Sequence, residues 1–206
     1  MMKQIPYGLT DFGRIQKENY YYVDKTMFIE KIEMQPSYLF LIRPDASGNI
    51  NEVEESFRMH CCGKLSDFVY RYEHLLGKNI WKVLDEKTKE EPGAFLSAIN
   101  TYATRKGDIK IYLLIDEYDN FTNTILSTYG MDLYRKAMHG EGYIRRFFNV
   151  IKAATTGMGS AVNRLFITGV SPVTMDDVTS GFNIGTNITN DPWFNDLVGF
   201  SEKELR

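Results

Sequence analysis

Two carboxylates at the end of an apolar run are the strongest chemical feature of this sequence. Ile111 to Ile115 are all apolar or aromatic and run directly into Asp116 and Glu117. Such a run suits a buried strand, and acids at its exit are costly to desolvate unless something compensates them. One compensation is Mg²⁺, held by an Asp directly or through water while a neighbouring Glu polarises an attacking water. That is the chemistry of nucleotide hydrolysis. The other reading is structural, with Asp116 and Glu117 capping the next helix on a solvated edge. Asp119 adds negative charge or caps that helix. The pattern alone leaves both readings open.

The elements that would position these acids alternate along the chain. Residues 38–42 are nearly all apolar and suit a buried strand, residues 109–115 give the strongest strand signal, and residues 165–170 form a second all-apolar strand. Helices are expected at 26–34, 51–62, 65–76, 92–105 and 143–155, with Pro92 in a first turn and Gly77 and Gly107 at ends. Residues 20–23 read as a short extended stretch, with Asp24 as a cap. The segment from 176 to 206 is rich in Asn, Asp, Gly and Thr and reads as loops and short turns. The fold class is therefore α/β, a mostly parallel sheet with helices on both faces, in a single domain over residues 1–206. In such sheets chemistry collects beyond the carboxyl ends of strands, which singles out Arg43, Asp116 with Glu117, and residues 168–171.

The totals fit a globular protein with a substantial core. The net charge of −3 gives no overall electrostatic case for nucleic acid or an anionic membrane surface. The two cysteines, Cys61 and Cys62, are adjacent, which argues against a disulfide scaffold and for a reducing compartment. No secretory signal or membrane-spanning run is read, so a cytoplasmic location is the expectation.

Six segments together resemble the bacterial and archaeal AAA-ATPase-like family, whose members often carry a PD-(D/E)xK nuclease-like domain after the ATPase-like one. They are residues 5–8 with Asp11-Phe12, residues 20–26, 40–44, 112–119, 166–172 and 179–183. The resemblance spans essentially the whole chain and implies a P-loop-NTPase-like sheet, with ATP and Mg²⁺ as cofactors. It places Asp116 and Glu117 on the acidic nucleotide motif, with Asp116 as the Mg²⁺ ligand. Thr168 falls where a polar sensor of the γ-phosphate is expected, although a strand-end hydroxyl bonding local backbone is an equally good account. Arg43 is the other nucleotide-contacting candidate. The resemblance implies an unidentified protein or nucleic-acid partner, and an oligomer is a further expectation. Read from the residues alone, Arg145-Arg146 beside Phe147-Phe148 could contact an acidic partner or a nucleotide from a neighbouring subunit. The same pair also reads simply as the polar side of an amphipathic helix.

The sequence departs from that family after Pro44. Where the family continues into Arg-Arg-Phe-Gly-Lys-Ser/Thr, a helix and a strand, this chain continues with Asp45-Ala46-Ser47-Gly48-Asn49. Gly63-Lys64 and Gly77-Lys78 are followed by Leu65 and Asn79, and neither completes Gly-x4-Gly-Lys-Ser/Thr. Both are expected at turns or helix ends. The expectation is a fold shortened by the phosphate loop, its helix and one strand, with ATP hydrolysis impaired or lost. A protein-interaction module that keeps the fold is the alternative.

Three lesser constellations carry less. His60-Cys61-Cys62 has no second ligand pair at zinc spacing and reads as a helix face. Pro44-Asp45 with Asp85-Glu86-Lys87 mimics a nuclease motif, but the latter triplet reads as helical. Trp81 and Trp193 read as core or edge packing.

Overall fold

The computed structural model describes residues 3–6, 11–35, 38–42, 53–157, 159–169 and 185–204. These fall into two compact units, one from Met1–Gln35 with Asn190–Arg206, the other Pro36–Thr189.

The larger unit holds the sheet. Its strands are β1 (Tyr38–Ile42), β2 (Ile111–Ile115), β3 (Val162–Gly169) and β4 (Thr186–Asn187), in the order β2-β3-β1-β4. Every pairing is parallel, so the expected parallel α/β sheet is present. Ile42 lies opposite Gly169 and Ile115 opposite Ile167, which aligns the carboxyl ends of β1, β3 and β2. The chain leaves β1 toward β2 on one side, and leaves β3 toward β4 on the other. The point where the connections diverge therefore lies between β1 and β3, the position at which open α/β sheets bind ligands.

Helices α3 (Val53–Arg71), α7 (Pro92–Lys106) and α10 (Tyr143–Thr156) pack with the sheet, and α9 (Met131–Met138) packs against α10. Between α3 and α7 run the short helices α4 (Glu73–Leu76), α5 (Ile80–Val83) and α6 (Glu86–Lys89), and α8 (Asn120–Thr124) follows β2. One core joins Phe57, Tyr118, Met138, Phe148 and Ile151 to Leu165 and Ile167 of β3. A second joins Val69, Ile80, Phe95 and Ile99 to Ile111 and Val162. Polar groups of α7 fix where β3 begins: the Ala161 N–H donates to Thr104 Oγ1 at 2.9 Å and the Val162 N–H to Asn100 Oδ1 at 3.1 Å. Bonding these strand-start amides removes the penalty for burying them.

Several expectations need correction. Among the described residues, helices do not cover both faces of β2. Ile111 is buried and Leu113 and Ile115 are half-buried, but Tyr112 and Leu114 are 42% and 67% exposed. The two helices expected at 51–62 and 65–76 are largely one, because α3 runs through Gly63-Lys64 without a break. Gly63 has nothing within 4 Å of a notional Cβ, so helix geometry rather than packing governs that site. Helix α9 and strand β4 lie in stretches that the sequence left unassigned or as loops. The expected junction at Pro44–Asp45, and the motif at 179–183, lie outside the described residues.

The smaller unit contains α1 (Phe12–Lys17), capped by Asp11 accepting from the Arg14 N–H at 2.8 Å, and α2 (Met27–Glu33). Its two chain segments are tied by Lys25 Nζ donating to Glu204 Oε1 at 2.7 Å and Oε2 at 2.9 Å, and by the Tyr21 hydroxyl donating to the Glu204 carbonyl. Tyr21 also meets Phe200, with ring centroids 5.9 Å apart.

The hydrogen bond from Lys25, aided by the Ser201 N–H, holds the Glu204 carboxyl down to about 2, against an ordinary 4.5. A depressed carboxyl stabilises fully above its ordinary value, and the contribution disappears as pH falls through the depressed one. Thermal melting followed by Trp193 fluorescence in a Trp81→Phe background should therefore show Tm falling between pH 4.5 and about 2. Glu204→Gln should lower Tm at neutral pH and flatten that window.

Candidate functional site

The acids at the end of β2 are held by β3. The Thr168 hydroxyl donates to Asp116 Oδ1 and accepts from the Glu117 N–H at 3.2 Å. The Thr168 carbonyl accepts from the Tyr118 N–H at 3.0 Å. One residue of β3 thus fixes three consecutive residues beyond β2. Both carboxylates stay exposed, and Glu117 Oε2 accepts from Asn120 Nδ2 at 3.4 Å.

Glu117 has φ 50°, the left-handed region that L residues with a Cβ enter at a cost of roughly 1–2 kcal/mol. A turn alone would favour Gly there. A glutamate kept at a strained position, with its carboxylate turned to solvent, is a pattern that clusters at functional sites.

Asp119 differs from its neighbours. It is fully buried, its Oδ2 accepts from Asn123 Nδ2 at 3.2 Å, and its carbonyl accepts from the Thr122 hydroxyl at 2.7 Å. These bonds tie it to the first turn of α8. Gly169 lies against it: a Cβ there would come within 2.1 Å of the Tyr118 ring and 2.9 Å of Asp119 Oδ1.

Beside the acids is a cavity of about 200 Å³, walled by Phe57, Leu65, Leu113 and Phe148 and edged by His60 and Lys64. Asp116 and Glu117 line it too. The sequence reading put His60 on a helix face and Lys64 at a turn or helix end. Their four-residue spacing, in step with Phe57 and Cys61, was the signal that α3 turns them toward the same neighbour. Burial pushes the Cys61 thiol up to about 12, so its uncharged form fills the helix face.

The family model described as predicted AAA-ATPase matches residues 6–49 and 45–179. The chain belongs to this AAA-ATPase-like family. It is also similar to an uncharacterized protein from the vnfD 5′ region of Azotobacter chroococcum mcd 1, 24% identical over 236 residues. That match takes in 98% of this chain and 44% of the relative, so the chain spans less than half of the relative's length. No solved structure matches.

Of the four residues that the family resemblance pointed to, three converge: Asp116, Glu117 and Thr168. Arg43 lies outside the described residues. Asp116 supplies the hard oxygen donor that Mg²⁺ takes, but Mg²⁺ uses one or two carboxylates and completes its shell with substrate phosphates and water. Gly63 sits within α3, and Gly77 ends α4 with φ 84°, so neither forms a phosphate-binding loop. The described residues thus fit a lone cation donor and not a nucleotide–metal complex.

The remaining candidates resolve into structure. Asp85 caps α6 by accepting from the Thr88 N–H at 2.7 Å, so the 85–87 triplet is helical, as expected. Arg146 Nη1 donates to the Glu141 carbonyl at 2.5 Å, a local tie at the start of α10. Trp81 Nε1 donates to Glu73 Oε2 at 2.6 Å, whereas Trp193 is 62% exposed and is not a core residue.

Gly169→Ala should destabilise the protein by about 1–3 kcal/mol, the usual cost of overpacking. Gly63→Ala should stabilise it by about 0.5–1 kcal/mol, as a helix-interior glycine replaced where there is room. Urea unfolding of both variants checks the pair.

Proposed function

We propose that this chain is an AAA-ATPase-like domain that keeps the acidic half of a nucleotide site, Asp116 and Glu117, and has lost the phosphate-binding half. The observation that carries this reading is Glu117, strained at φ 50° and held with Asp116 by Thr168 at the strand ends. Such a geometry is costly for a simple helix cap, and it is suited to presenting two carboxylates to one point beyond the sheet.

Two further observations support the shortened site. The family match divides into two segments that meet at residues 45–49, where the sequence passes from Arg43-Pro44 to Asp45 without a phosphate loop. The alignment with the Azotobacter relative runs over 236 residues, longer than this 206-residue chain, so the relative carries residues that have no counterpart here.

The chemistry follows from the charges that remain. A phosphate loop supplies consecutive backbone N–H groups, a helix N-terminus and a lysine to a polyanion. Without them, two exposed carboxylates repel a triphosphate. Lys64 beside the cavity offers one positive charge and no cradle. Thr168, proposed from the resemblance as a γ-phosphate sensor, serves here as the positioning residue for the acids.

A second reading, a protein-interaction module on the same fold, is favoured by the exposed side chains of Tyr112 and Leu114 on β2. In both readings the protein sits in the cytoplasm.

Steady-state ATPase assays with Mg²⁺ should give a rate indistinguishable from buffer, for the wild type and for Glu117→Gln alike. Turnover by the wild type that Glu117→Gln abolishes would show that the phosphate-binding half exists elsewhere in the chain.

A further inference from the structure

The cavity beside the acids suits a smaller guest than a nucleotide. Its volume of about 200 Å³ is little more than the roughly 150 Å³ that holds a benzene ring. It falls short of the roughly 300 Å³ at which pockets for drug-sized ligands begin. One ring with a short head group fills it.

The walls select the ring. Phe57, Phe147 and Phe148 line the cavity as a chain of edge-to-face contacts. Their centroids are 5.5 Å apart between Phe57 and Phe147 and 6.2 Å apart between Phe147 and Phe148. Leu113 and Ile115 add aliphatic wall from β2. An aromatic guest continues the edge-to-face series and gains attraction beyond the area it buries.

The charges select the head group. Asp116 and Glu117 line the cavity from the end of β2, Lys64 lines it from α3, and all three residues are exposed. Among the described residues, no ion pair joins Lys64 to either acid. Opposite charges thus border one cavity without closing on each other. A head group carrying both signs bridges them, its ammonium on the carboxylates and its carboxylate on the lysine. A head group of one sign satisfies one border only. The bond of Thr168 to Asp116 and to the Glu117 N–H fixes the acidic border in advance, which lowers the cost of binding.

We propose that this cavity binds a free aromatic α-amino acid with a single ring. The ring lies among Phe57, Phe147 and Phe148, the ammonium on Asp116 and Glu117, and the carboxylate on Lys64. Phenylalanine has the size and both charges. The proposal goes beyond the nucleotide reading and does not rest on it, since neither phosphate donors nor a metal take part.

Two-dimensional ¹H–¹⁵N NMR of the full chain, titrated with L-phenylalanine, tests it. The amides of Leu65, Leu113 and Phe148 should shift saturably, with a dissociation constant on the order of 1 mM for a ligand of this size. Phenethylamine, which lacks the carboxylate, and 3-phenylpropionate, which lacks the ammonium, should each bind about tenfold more weakly. L-Alanine, which lacks the ring, should give no saturable shift. Glu117→Gln, a change at an exposed side chain, should weaken phenylalanine about threefold to tenfold. Three results would each overturn the proposal: no saturable shift at these amides with phenylalanine, equal binding of either single-charge analogue, or a folded Glu117→Gln protein that binds phenylalanine as tightly as the wild type. ATP titrated in the same way reports on the nucleotide reading separately.

Discussion

The Thr168 hydroxyl is the contact on which the site depends. It lies at the end of β3, donates to Asp116 and accepts from the Glu117 N–H. A charge-assisted bond of this kind is about twice as strong as a neutral one. It converts a flexible strand exit into a fixed turn, and it lets Glu117 remain in the left-handed region without a glycine's freedom. Gly169 next to it gives the Tyr118 ring and Asp119 room to close beneath that turn. The two acids stay at the surface because the residues just after them are buried.

The sheet order gives this turn its position. With β3 between β1 and β2, the carboxyl ends of three parallel strands line up, and the chain diverges between β1 and β3. The acids therefore stand one strand away from the point where ligands of open α/β sheets bind. A polyanion site needs donors as well as acids, and the sequence after Pro44 carries no Gly-x4-Gly-Lys-Ser/Thr.

Much of this was legible in the sequence because apolar strands announce themselves. Residues 38–42, 111–115 and 165–169 are apolar throughout or nearly so, and helices ending at Gly77 and Gly107 carry their stop signals. Strand β4 was not legible: Thr186–Asn187 is short and polar and is set by pairing with β1, a nonlocal constraint. Gly63 misled for a related reason, since a helix long enough and packed on one side tolerates a glycine at about 1 kcal/mol. At the site, Asp116 and Glu117 were visible as an acidic strand end. The role of Thr168 as their support was not, because it rests on register between strands about fifty residues apart. His60 and Lys64 were hidden in the same way, their approach to the acids depending on how α3 rotates over β2.

The most direct test of the account is a calorimetric titration of ATP with Mg²⁺ into the chain. A retained acidic pair with no phosphate cradle predicts no saturable heat at any practical concentration. Saturable binding with a dissociation constant in the micromolar range, about −8 kcal/mol, would contradict the account, the more so if Asp116→Asn abolished it.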